Sequence, residues 1–107
     1  MTENREYCKR IAKEIEEYAA GKMVDDAGNE LGLYDYLANA LDYEFTVGSR
    51  KEYKSAKIWV TLGGPNMWID TAERAVKLAW ATDREEYPLT YDVCDEIDEI
   101  MQEIYDN

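Results

Sequence analysis

Apolar residues return every three or four positions at the start of the chain, at Tyr7, Cys8, Ile11, Ala12, Ile15, Tyr18 and Ala19. That spacing predicts an amphipathic helix over about residues 3–20, closed by Gly21. On its outer face Glu6 stands four residues before Arg10, and Lys13 four before Glu17, spacings that let opposite charges support each other. Residues 24–30 read as a polar turn, and Leu33, Leu37 and Leu41 mark a shorter helix in which Tyr34 and Tyr36 flank Asp35.

From residue 43 the period changes to two. Tyr43, Phe45 and Val47 alternate with Glu44 and Thr46; Ile58, Val60 and Leu62 with Lys57, Trp59 and Thr61; Met67 and Ile69 with Trp68 and Asp70. This predicts three antiparallel strands, and a pairing that sets Ile58 opposite Ile69 also sets Trp59 beside Trp68 on the other face. Asp70-Thr71-Ala72-Glu73 matches a helix-opening capping pattern, and Ala72, Ala75, Val76, Ala79 and Trp80 then predict a helix over about 71–82. Residues 83–90, interrupted by Pro88, read as a loop, and Thr90 as the cap of a last helix with the core stripe Val93, Ile97, Ile100, Met101 and Ile104. The expected fold is α+β: a three-stranded antiparallel β-meander packed with about four helices, in the order ααβββαα, as one domain over residues 1–107. Helices from both ends of the chain should cover one face of the sheet.

Charge changes the picture more than composition does. The formal net charge is −12, but residues 1–22 balance, residues 23–46 hold six acids and no base, and residues 47–82 carry +3. Residues 83–107 hold ten acids against Arg84 alone. At the helical period, Asp92, Asp95, Glu96, Glu99, Glu103 and Asp106 share an arc of about 100° away from the apolar stripe. Like charges at i,i+3 and i,i+4 make this stripe unfavourable by about 1.5–3 kcal/mol before screening. Glu103 and Asp106 also sit at the negative end of the helix dipole, where cations are favoured. Carboxylates on successive turns repeat at about 5 Å, which suits a surface imitating a phosphate backbone in front of a basic cleft. Asp25, Asp26 and Asp35 are candidates to extend it, and Trp59, Trp68, Tyr91 and Tyr105 are candidate aromatic anchors. The competing reading is a merely solubilising acidic face.

Other chemistry is poorly represented. There is no histidine, which removes the commonest general base and metal ligand. Cys8 and Cys94 have no metal-ligand or redox spacing, and a non-exported chain would keep them as reduced, partly buried thiols. Asp25, Asp26 and Glu30 miss the calcium-loop pattern, Ala27 standing where a ligand is needed. Gly63-Gly64-Pro65-Asn66 lacks the Gly-Lys-Ser/Thr of a phosphate loop. The expectation is a non-enzymatic protein without catalytic residues, cofactor or metal. The N-terminus has no export pattern and no apolar run spans a membrane, so a cytoplasmic setting is expected.

The stretch Leu62-Gly63-Gly64-Pro65-Asn66-Met67-Trp68-Ile69-Asp70-Thr71, followed by Trp80 and an acidic end, resembles small acidic accessory proteins of bacterial phages and conjugative elements, over roughly residues 43–107. No named family is assigned. The resemblance implies a setting in which inhibitors of restriction and CRISPR systems, several of them acidic DNA mimics, are carried. Together these readings give the expected partner as a basic nucleic-acid-binding protein, such as a defence nuclease or CRISPR effector, with no direct nucleic-acid or membrane binding and a homodimer possible. The alternative is an adaptor that assembles through its Trp/Tyr sheet face.

Overall fold

The computed structural model describes residues 2–107, with side chains from Glu3 onward. Helix α1 spans Thr2–Ala19. It ends where Gly21 adopts a φ of 73° and the amides of Gly21 and Lys22 return to the carbonyls of Tyr18 and Glu17, a Schellman closure. Strands β1, Met23–Val24, and β2, Glu30–Leu31, form a small hairpin. Its turn is built by Asp25, whose carboxylate accepts the Ala27 and Asn29 amides, each at 2.9 Å. Helix α2, Leu33–Ala38, opens with the Asp35 carboxylate accepting the Gly32 amide at 2.8 Å.

Five strands follow: β3, Asp42–Val47; β4, Tyr53–Thr61; β5, Asn66–Asp70; β6, Ala75–Trp80; and β7, Asp83–Pro88. They form one antiparallel sheet in chain order, β3-β4-β5-β6-β7. Helix α3 closes the chain at Tyr91–Asp106, its first turn capped by Thr90 Oγ1, which accepts the Val93 amide.

The register explains the layering. Tyr43, Ile58, Ile69, Val76 and Tyr87 make one cross-strand row, and with Phe45, Ala56, Met67 and Leu78 they face the helices. Helix α1 packs over β6 and β7 and α3 over β4, inserting Cys8, Ala12 and Ile15 from one side and Val93, Cys94, Ile97 and Met101 from the other. The neighbouring row, Asp42, Trp59, Trp68, Lys77 and Glu86, points to the opposite face, as an antiparallel sheet covered on one side allows.

The expected three-stranded meander with about four helices is therefore wrong: the described residues form three helices, and the sheet has five strands beside the separate two-stranded hairpin. The pairing of Ile58 with Ile69 and of Trp59 with Trp68 is as expected. The error lies at residues 71–90. Asp70 does make the cap contact, its carboxylate accepting the Glu73 amide at 3.1 Å, but Arg74 then turns left-handed at φ 54° and the chain reverses after one turn. Thr71, buried, locks that reversal by accepting the Ala56 amide at 2.9 Å. Val76 and Leu78 are buried alternately with half-buried Lys77 and Ala79, a period of two that the alanines had masked as helical. Trp80, expected on a helix's core face, is 51% exposed at the strand end, its ring so close over Gly64 that a side chain there would collide with it. The segment read as a loop is β7, an edge strand whose charged residues disguise it.

Candidate functional site

The six acids of the predicted stripe, Asp92, Asp95, Glu96, Glu99, Glu103 and Asp106, are all exposed along α3. The opposite side of the helix is held firmly. Val93, Cys94, Ile97 and Met101 are buried, and Asp98, a seventh acid outside the stripe's arc, turns inward to accept a 2.6 Å hydrogen bond from the Tyr53 hydroxyl. At the amino end, Glu16 of α1 accepts hydrogen bonds from the Thr90 amide, at 3.1 Å, and the Thr90 hydroxyl, at 3.3 Å. At the other end the Tyr105 hydroxyl donates to the Lys51 carbonyl at 2.6 Å, and the Tyr105 ring packs against Phe45 and Tyr53 with centroids 5.2 and 6.2 Å away. The row of charge is thus carried on a helix pinned at both ends and through its middle.

Among the described residues the ion pairs converge on Lys77, which reaches Glu73 at 3.2 Å and Asp70 and Glu86 at 4.0 Å; none involves the stripe. The contact of Tyr105 with Lys51 brings the basic β3–β4 turn, with Arg50 and Lys51, beside the end of α3, yet neither base pairs with a stripe acid. Glu99, Glu103 and Asp106 line a recess of about 430 Å³ with Ile100 and Gln102. A second, of about 400 Å³, joins Asp92 and Glu96 to Glu16, so the acidic surface reaches α1.

The other predicted site residues have local occupations. Asp25 closes its own hairpin, and the amide of Asn29, foremost among its donors, holds its carboxyl below the ordinary carboxylate range. Asp26 is exposed on the same turn, and Asp35 caps α2. No described hydrogen bond ties these three acids to α3. Tyr105 is a packing residue rather than an open anchor. Tyr91 is 68% exposed at the start of α3, with the Arg74 guanidinium 4.4 Å from its ring centroid. Trp59 and Trp68 are half-buried on the outer sheet face with ring centroids 4.8 Å apart. Trp59 donates its indole N–H to Glu44, whereas the buried indole nitrogen of Trp68 has no partner among the described residues.

Among the described residues the ion pairs do not include the expected Glu6–Arg10 and Lys13–Glu17 of α1. Arg10 instead lies over Tyr7 at 4.5 Å and Arg5 over Tyr87 at 5.4 Å, both cations resting on aromatic faces. Burial pushes the thiols of Cys8 and Cys94 up to about 11, with Glu85 and Asp98 respectively adding to the effect. Sequence reasoning missed Asp98 and its partner Tyr53; the available signal was that Asp98 alone among the α3 acids falls outside the stripe's arc.

Among the described residues no group of histidine, cysteine, aspartate and glutamate has a metal-holding geometry, and no helix is long and apolar enough to cross a membrane. Comparison with family models, curated proteins and solved structures returns no match.

Proposed function

We propose that the protein is an acidic inhibitor that occupies the basic cleft of a nucleic-acid-binding enzyme, presenting α3 in place of a phosphate backbone. The observation that carries this reading is the row of six exposed acids, none in an ion pair among the described residues, on a helix anchored along its other side. A rigid row needs little ordering on binding, and a cationic cleft would offset the like-charge repulsion that the free protein carries. The resemblance at residues 62–71 supports a bacterial defence nuclease, of restriction or CRISPR type, as the enzyme blocked. The adaptor reading requires Trp59 and Trp68 to reach a partner, and their half-burial against each other favours it less.

The test is capture of partners from a bacterial lysate, followed by affinity measurement with the triple variant Asp95→Lys/Glu99→Lys/Glu103→Lys. All three side chains are exposed, so the fold should persist. Affinity for a captured basic nucleic-acid binder should fall by about 10²–10⁴-fold, several close charge pairs being lost together. Full affinity of the folded triple variant, combined with loss of binding in Trp59→Ala, would replace this function with the adaptor.

A further inference from the structure

Arg5, Lys9 and Lys13 stand at i, i+4 and i+8 on α1, a short cationic row in a chain of net charge −12. Beside Lys9 and Lys13 a groove of about 430 Å³ opens between α1 and the end of β7, with an apolar lining from Ala12, Tyr87, Pro88 and Leu89. That volume lies in the ordinary range for small-molecule sites, roughly 300–1,000 Å³. Lys9 and Lys13 are exposed and take part in no ion pair among the described residues. Arg5 continues the row, its guanidinium donating to the Glu86 carbonyl at 2.7 Å. The carboxylate in the lining, Glu16, is engaged by Thr90 through both of its oxygens. Two unneutralised cations therefore border an apolar concavity whose own acid already has donors.

We propose that this groove binds an amphipathic carboxylate, its apolar chain lying on Tyr87, Pro88 and Leu89 and its head group between Lys9 and Lys13. Apolar lining and unpaired ammonium groups make different demands, and a ligand with a hydrocarbon body and an anionic end meets both. The site is separate from the acidic row and does not depend on the inhibitor reading.

The experiment titrates the full chain with sodium decanoate below its micelle concentration, by calorimetry and by amide chemical shifts, with decanol as the neutral control. Decanoate should bind saturably, weaken as salt rises, and perturb the amides of Ala12, Tyr87 and Leu89. In Lys9→Gln/Lys13→Gln its affinity should fall about five- to tenfold, the scale of two exposed ion pairs. Decanol should bind more weakly and not respond to the variant. Absence of saturable binding, equal affinity for decanol, or an unchanged double variant would overturn the proposal. So would concentration-dependent self-association that requires Lys9 and Lys13 and that decanoate does not reverse, since a second copy would then own the groove.

Discussion

Helices α1 and α3 do the same job on the inside and different ones on the outside. Each contributes a buried stripe to the same core, and each buries one cysteine there. Outside, α1 mixes Arg5, Lys9, Arg10 and Lys13 with its acids, whereas α3 carries seven acids and no base. Both run over the same face of one sheet, so the contrast does not come from where they pack. The chain is able to place bases on a helix surface, and on α3 it places none. A requirement for solubility alone would be met by acids scattered over either helix; the concentration on one anchored helix is what the cleft-binding account explains.

The inner equivalence should be the easiest part to break. Ile15→Ala on α1 and Ile97→Ala on α3 remove fully buried side chains, and each should cost about 2–5 kcal/mol in denaturant unfolding. Separate unfolding transitions reported by probes on the two helices, in place of one shared transition, would mean the helices do not share one cooperative core. Asp98→Ala should cost less, about 1–3 kcal/mol, by leaving the Tyr53 hydroxyl without its acceptor. The outer contrast should have the opposite sign: Glu99→Lys/Glu103→Lys should stabilise by about 0.5–1 kcal/mol at low salt, and added salt should erase much of that gain. Lys9→Gln/Lys13→Gln on α1 should shift stability by under about 0.5 kcal/mol.

A pH effect common to both helices sharpens the same comparison. Thiols held near 11 in the fold, against an ordinary value of 9.0, contribute stability that is complete below pH 9. It is lost as pH rises through 11, because the unfolded chain then releases those protons more readily. Replacing both cysteines with Ala should flatten that decline in a pH series of unfolding curves.

The acidic stripe was legible because it depends only on the helical period and on residue type. So were α1, α3 and the pairing of β4 with β5, where strongly apolar residues alternate or recur without ambiguity. Residues 75–80 were not, because small alanines satisfy both periods, and the deciding fact lies outside them: Thr71 binding Ala56 and Arg74 turning left-handed. Strand β7 was hidden for another reason. Its alternation sets Glu85 and Tyr87 toward the helices and Arg84 and Glu86 away, and only its neighbour β6 makes that pattern a strand. The fates of Asp25, Asp35 and Tyr105 likewise depend on backbone groups and turns that residue type does not specify.

The central claim, that α3 stands in for a nucleic-acid backbone, is tested most directly by competition. With a captured nucleic-acid-binding partner, fluorescence anisotropy would follow a labelled oligonucleotide bound to it while this protein is added. The account predicts full displacement, mutually exclusive binding, and an apparent affinity that weakens steeply with salt, with the triple variant displacing little. A ternary complex in which the oligonucleotide stays bound, or displacement that is unchanged in the folded triple variant, would contradict it.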